Sequence, residues 1–330
     1  MQKRYFLGVD VGGTKSHALV ADETGQALGL GASGPGNWEI IGWDGAKQVL
    51  QTIVTQACHA AAIGPAQIAG AGFGLAGYDW PEDREPHRQM IESLGFKAPY
   101  EFGNDTLVGL VAGAEAGWGI VVVAGTSNNC RGRAPDGREG RMTGSSWFAE
   151  YAGAGELMTR AVQAVALAWS CRGPATQLTE AFIHQTGASD VVDLLAGLMR
   201  GRYDLSAEHA RLVFQVASAG DPVAQSLIEW AGQELGGLAN GVARQLDITH
   251  LAFDVVLSGS FYNGSPRLVQ CMAETVQAVC PLARLVRLNA PPVVGGVLLG
   301  MRLAGLDAAA SRDKLITTTN KLLTGQGNKR

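Results

Sequence analysis

Leu7-Gly8-Val9-Asp10-Val11-Gly12-Gly13-Thr14-Lys15 runs as an apolar strand into an acid, then two glycines, a hydroxyl and a cation. Glycines let backbone N–H groups approach phosphate oxygens with no Cβ in the way. Thr14 can donate a hydroxyl and Lys15 can supply charge. Asp10 stands at the strand end, where one carboxylate suits Mg²⁺, an ion that combines few carboxylates with phosphate oxygens. Read alone, the stretch is either a phosphate-binding turn or a glycine-assisted β-hairpin turn.

Two other phosphate motifs are excluded. In a P-loop register starting at Gly8, Thr14 stands where the lysine belongs, and the chain continues into a strand rather than a helix. No GxGxxG opens a helix, so a dinucleotide fold is a poor match. A weaker copy of the turn follows at Ile120-Val121-Val122-Val123-Ala124-Gly125-Thr126-Ser127-Asn128. Setting Gly13-Thr14 over Gly125-Thr126 also sets Gly25 over Gly137, so Asp22-Glu23-Thr24-Gly25 matches Ala134-Pro135-Asp136-Gly137. The coincidence predicts two copies of one β-sheet unit, each with a hairpin after its turn.

Composition bounds the rest. At 330 residues, 46% hydrophobic and 17% charged, the chain is long enough for two domains with cores of their own. The 45 glycines have no collagen period, which points to tight turns and close backbone approaches. A net charge of −4 without a basic run argues against nucleic-acid binding. No apolar run reaches membrane-spanning length. The expectation is a cytoplasmic protein without a signal peptide, whose cysteines at 58, 130, 171, 271 and 280 form no CxxC pair and stay reduced. The six histidines show no metal-ligand spacing.

Periodicity predicts strands over 5–10, 16–22 and 26–32, then a helix over 44–63 capped by Asp44 and ended by Gly64-Pro65. A strand over 68–76, a helix from Pro81 to 94, a strand over 99–103 and a helix from Asn104 to 116 follow. After the restart at 120, helices dominate 153–244. A strand over 251–257 ending in Ser258-Gly259-Ser260, a helix over 265–279, a strand over 283–288 and a helix from 293 come next. The segment beyond 306 reads as a fraying tail. Strands mixed with helices argue for two α/β domains.

At this point the residues resemble a family. Asp10-Val11-Gly12-Gly13-Thr14-Lys15, Asn37, Gly74-Leu75-Ala76-Gly77, Asn104-Asp105, Gly125-Thr126-Ser127-Asn128-Asn129-Cys130 and Gly295-Gly296 occur in the order seen in N-acetylglucosamine kinases. The activator ATPases of benzoyl-CoA reductase and 2-hydroxyacyl-CoA dehydratase share this pattern. Both belong to the actin, heat-shock ATPase and sugar kinase superfamily. The resemblance implies an α/β, two-domain actin-like ATPase (ribonuclease H-like) fold with duplicated sheets and an ATP cleft between them. It divides the chain into a domain over 1–116, a second over 117–305 and a tail over 306–330.

The same resemblance implies roles. Asp10 helps place Mg²⁺, and Gly12, Gly13, Thr14 and Lys15 hold ATP phosphates together with Gly125, Thr126 and Ser127. Ser258, Gly259, Gly295 and Gly296 lie where the family contacts adenosine. Asn37, Gly74, Gly77 and Asn104 face the sugar, and Asp105 is the general base. A plain alternative for Asp105 is that it caps its helix. A small-molecule sugar substrate and a homodimer are also implied.

One segment departs from the family. Where those kinases carry Gly-Asp-Glu-Gly-Ser, this chain reads Phe148-Ala149-Glu150-Tyr151-Ala152, so Ala149 replaces a sugar-contacting Asp. Glu150, Ser145 or Ser146 is the candidate replacement, while a first-turn helix acid is the plain reading of Glu150. The implied activity is an ATP-dependent kinase of a hexose or amino sugar, N-acetylglucosamine first, with glucosamine or another hexose as alternatives. A second reading is an activator ATPase with an iron–sulfur cluster on Cys130 and Cys171. A third is a non-catalytic sugar or nucleotide sensor. Trp38 and Trp43 either stack on a sugar ring or pack the strand–helix junction.

Overall fold

The structure, a computed structural model, describes residues 3–327. The chain forms two compact units, Met1–Val121 with Val286–Arg330, and Val122–Leu285. Residues 286–305, expected in the second domain, therefore belong to the first.

The first unit is built on five strands: β1 (Tyr5–Val11), β2 (Ser16–Asp22), β3 (Ala27–Ser33), β4 (Ile68–Leu75) and β5 (Tyr100–Gly103). Their order is β3-β2-β1-β4-β5. β1 pairs antiparallel with β2 and parallel with β4, and β4 pairs parallel with β5. Buried residues line both faces of β1, as expected of a sheet covered on both sides. One face, with Leu7, Val9 and Phe73, packs on Leu50 and Ile53 of α1 (Trp38–Ala60) and on Ile91 of α2 (Arg84–Glu92). The other, with Phe6 and Leu19, packs on α3 (Asp105–Gly113), α10 (Val293–Leu303) and α11 (Ala308–Gly327).

The helix expected from Asp44 starts six residues earlier. Asn37 caps it by accepting from the Glu39 N–H at 2.9 Å, and Gly42, at φ 71°, breaks the helical path inside it. The apolar spacing on which the expectation rested begins only after that break. The fraying tail is likewise corrected. Residues 308–327 are helical, with Leu315 fully buried and the Thr318 hydroxyl accepting from the Ala27 N–H at 3.0 Å. Threonines and lysines obscured a single apolar contact face.

The second unit repeats the design with β6 (Gly119–Ala124), β7 (Asn128–Arg133), β8 (Glu139–Arg141), β9 (Asp254–Ser258) and β10 (Arg284–Arg287), in the order β10-β9-β6-β7-β8. Read from the other edge this is the order of the first sheet, so the duplication expected from the two turns is present. The paired hairpin glycines agree: Gly25 and Gly137 both have positive φ, and each donates its N–H to a carbonyl three residues back at 3.0 Å. Helices α4 (Ala154–Trp169), α5 (Leu178–Thr186), α6 (Val191–Met199), α7 (Ala210–Ser218), α8 (Pro222–Leu246) and α9 (Pro266–Gln277) complete the unit.

Candidate functional site

The first turn closes through the Gly12 N–H, which donates to the Lys15 carbonyl at 3.1 Å. Gly13, Thr14 and Lys15 are exposed, so their amides, hydroxyl and ammonium face outward from the strand ends. In β1, Asp10 pairs in register with Gly74 of β4, which pairs with Gly103 of β5. The next residue, Asn104, caps α3 by accepting from the Thr106 N–H at 3.1 Å and its hydroxyl at 2.8 Å. Asp105 is thus the first residue of α3 and not its cap. Sheet register and the immediate strand-to-helix turn bring Asp105 to the level of Asp10.

Burial, then the charge of Asp105, push Asp10 up to about 7, while Lys15 acts in the opposite sense. Two carboxylates that resist joint ionisation at a strand end, beside an open glycine turn, are a donor set that fits Mg²⁺.

Asn37 and the Gly74–Gly77 loop also come together. Gly77 has φ 79°, and a Cβ on it would stand 2.5 Å from Asn37 Oδ1. The Trp38 indole N–H donates to the Gly77 carbonyl at 2.7 Å. Trp38 and Trp43 stack on each other at 4.3 Å, and Trp43 meets buried His87 edge-on at 4.9 Å, so both rings pack the strand–helix junction. Asn104 is buried and donates from Nδ2 to Asp79 Oδ1 at 3.1 Å and to the Tyr78 carbonyl at 3.4 Å. Its amide is therefore engaged inside the protein. Asp79 carried no signal in the sequence; only the fold sets it against a residue 25 positions away.

In the second unit, the Gly125 N–H donates to the Ser127 carbonyl at 2.9 Å. The first amides of α4, from Ala154 and Gly155, bond the Gly125 and Thr126 carbonyls at 2.9 and 3.0 Å. Thr126 and Ser127 are exposed on this buttressed turn. Ser258 ends β9, and Gly259, at φ 103°, comes so close to the Ala124 carbonyl that a Cβ would stand 2.1 Å from it. Beside the turn lies a cavity of about 500 Å³ walled by Gly125, Thr126, Arg211, Phe214, Phe261 and Gly264. Its size suits a nucleoside. Periodicity placed helices there but gave no sign that α7 and the turn after β9 would meet.

Two further groups of candidate residues make contacts within their own units. Gly295 and Gly296 are buried in the first turn of α10, where Cβ atoms would stand 1.9 Å from the Val108 carbonyl and 2.6 Å from the Gly72 carbonyl. In the first unit these glycines let α10 lie directly on α3 and the sheet. Glu150 is buried, and its carboxylate accepts from the Thr143, Gly144 and Ser145 N–H groups at 2.8, 2.5 and 3.3 Å. It staples its own loop, while the Ser145 hydroxyl accepts from the Trp147 N–H at 3.2 Å. Cys130 is fully buried in β7, and burial pushes its thiol far up. Cys171 is exposed.

The model of the BadF/BadG/BcrA/BcrD ATPase family matches residues 7–300. The chain is 24% identical over 299 residues to the N-acetylmuramic acid/N-acetylglucosamine kinase of Clostridium acetobutylicum, covering 90% of this chain and 98% of the relative. It is 24% identical over 320 residues to the N-acetyl-D-glucosamine kinase of Dictyostelium discoideum, covering 91% and 99%. Among solved structures it is similar in fold to a candidate N-acetylglucosamine kinase from Chromobacterium violaceum, with a TM-score of 0.61, 23% identity, and coverage of 90% and 98%.

Proposed function

Since this chain belongs to the BadF/BadG/BcrA/BcrD ATPase family, we propose that it is an ATP-dependent kinase of an amino sugar, N-acetylglucosamine or a close relative, acting on the 6-hydroxyl. The observation that carries this reading is the setting of Asp105 beside Asp10 and the open first turn. Phosphoryl transfer to an alcohol needs a group placed to take the hydroxyl proton, and Asp105 supplies one beside the phosphate turn. The names of the two curated relatives point the same way.

In this reading Asp105 accepts the proton of the acceptor hydroxyl. Its effect comes from position, set by the first turn of α3. Thr14 and Lys15 supply a hydroxyl and a cation to the phosphate chain. The turn of Gly125, Thr126 and Ser127 offers amides and hydroxyls but no cation to phosphates, and the cavity beside it takes the nucleoside. Asp10 would hold Mg²⁺, which when bound adds positive charge at the phosphoryl oxygens. Asn37 and the Gly74–Gly77 loop orient the sugar, and the chain acts as a homodimer, which sedimentation would test. The iron–sulfur reading loses support because Cys130 is sealed inside β7.

The test is ADP release across a panel of hexoses and amino sugars. Amino sugars should stimulate it, and Asp105→Asn should lower turnover by about 10²–10⁴ while ATP still binds. Release that no sugar stimulates would refute the kinase reading, and near-normal turnover in the variant would refute the base.

A further inference from the structure

Helix α6 in the second unit is apolar nearly all round, yet little of it is covered. It reads Val191-Val192-Asp193-Leu194-Leu195-Ala196-Gly197-Leu198-Met199. Its one charge, on Asp193, is engaged by the Arg202 guanidinium at 2.7 Å and the Tyr203 hydroxyl at 2.8 Å. A helix of this composition belongs in an interior. Only Leu194 and Gly197 are buried. Between α6 and the second half of α4 lies a groove of about 850 Å³, walled by Leu167, Trp169, Val192, Leu195, Leu198 and Met199. Trp169, Val192 and Met199 are 54, 56 and 89% exposed. Single exposed hydrophobic residues need no explanation, but three large ones at one groove mark an interaction site. Gln163 belongs to this groove and also to a cavity beside Trp147 and Arg160, so the uncovered strip follows α4 for most of its length.

The residues of α4 along the strip say what covers it. Thr159, Gln163, Ala166 and Ser170 recur at intervals of four, three and four, so they share one face, and the intervals read the same from either end. A second α4 laid antiparallel across a two-fold axis meets this face with its own. Gln163 then stands opposite the partner's Ala166, and Thr159 opposite the partner's Ser170. Thr159, Ala166 and Ser170 are small, which lets two helix axes approach closely. The strip also carries opposite charges at its ends, Glu156 in the first turn of α4 and Arg172 just past its last. Antiparallel pairing sets each Glu156 near the partner's Arg172, whereas parallel pairing would set like charges together. Such self-complementarity is what a two-fold interface requires. Permanent interfaces between copies of one chain are also more apolar than transient ones, and a groove of Leu, Trp and Met fits that class.

We infer that a second copy of this chain docks on the α4–α6 face, with the two α4 helices antiparallel about an axis between Gln163 and Ala166, and with Trp169 and Met199 of each copy buried on the other. The inference rests on the homodimer reading above and adds the face and the register. It also ties association to the candidate site. The first amides of α4 bond the Gly125 and Thr126 carbonyls, so the helix at the centre of the dimer is the one that buttresses the second phosphate turn.

The test is sedimentation equilibrium of the full chain. The wild type should be a dimer at about 10 µM. Met199→Glu and Trp169→Glu should each weaken association by about 30-fold or more, the scale of a hot-spot residue. Both side chains are exposed, so the variants should fold, and thermal melts check this. Register is read by a charge swap. Glu156→Arg and Arg172→Glu should each weaken the dimer by about 10-fold, since each sets like charges together at both ends of the strip. The double variant Glu156→Arg/Arg172→Glu restores opposite charges and should recover the wild-type constant. A dimer that Met199→Glu and Trp169→Glu leave intact would overturn the inference while the homodimer reading stands. Failure of the double variant to recover, when each single variant folds and dissociates, would overturn the antiparallel register and the inference with it. A monomeric wild type would overturn both, and flotation of that monomer with phosphatidylcholine vesicles would assign the face to a membrane instead. Sedimentation reads association without ADP release, so the kinase reading stands or falls separately.

Discussion

The Cα of Asp105 lies 3.1 Å from the point where a Cβ on Gly74 would stand. Gly74 is also the register partner of Asp10. One glycine therefore sets the spacing of the two carboxylates on which the proposed chemistry depends.

Gly74→Ala should displace the start of α3, because the new methyl would also meet Val108 Cγ2 at 2.5 Å. Turnover should fall by about 10-fold or more, the scale of a misplacement on the order of 1 Å. ATP affinity should change little. Steady-state kinetics beside nucleotide titration would check both.

Asn104 joins Asp79 to the helix that carries Asp105. Asn104→Ala removes the α3 cap, worth about 1 kcal/mol, and should lower kcat together with the melting temperature. Asn104→Asp keeps a capping oxygen but places a second acid against Asp79. It should therefore retain more stability at pH 5 than at pH 8, relative to wild type. Thermal melts at the two pH values distinguish the cases.

Burial holds His87 below its ordinary range, against the Asp83 carbonyl and the charges of Asp83 and Asp79, which favour the proton. A histidine whose folded value is depressed contributes its full stability above about pH 6.5 and loses it as pH falls. His17 is depressed too, by burial and then by Lys15. From pH 7 to pH 5 the two histidines therefore pull the melting temperature down, while Asp10, held up to about 7, pulls it up, and His87→Phe should diminish the downward part of that slope relative to wild type. An undiminished slope in the variant would exclude His87 as a source.

Leu315 is fully buried on α11, and the Arg312 guanidinium donates to the Ala112 and Ala114 carbonyls at the far end of α3. Leu315→Ala should cost about 2–5 kcal/mol, measured by denaturant unfolding. Deleting residues 308–330 should leave the first unit unable to fold to a soluble state. A soluble, cooperatively melting truncation would contradict the role given to α11.

What could be read in the sequence was what repeats or lies close along the chain. The turn after β1, its copy after β6 and the hairpin glycines at 25 and 137 share one local chemistry, so their spacing exposed the duplication. Asn37 and Gly77 carried their signal in residue type. Contacts made by tertiary packing were hidden. Asp79 meets Asn104 only because β4 and β5 are neighbours, and the Phe214–Phe261 wall forms only when α7 meets the turn after β9. Gly295 and Gly296 were legible as special, but the glycine signal is the same for a backbone that approaches a ligand and one that approaches another backbone. Glu150 was ambiguous for a similar reason, since an acid that binds a sugar and one that ties three amides look alike in one dimension.

The first unit is assembled from both ends of the chain, with α10 lying across the glycines of β1 and β4. During synthesis on the ribosome, its central sheet must wait with one face uncovered while the 164 residues of Val122–Leu285 are made. Those residues are continuous and have every strand neighbour they need except the ends of β6 and β10. The order of birth is thus inverted: the half that begins the chain is the last to close, and it offers an apolar surface to chaperones until the final helices emerge.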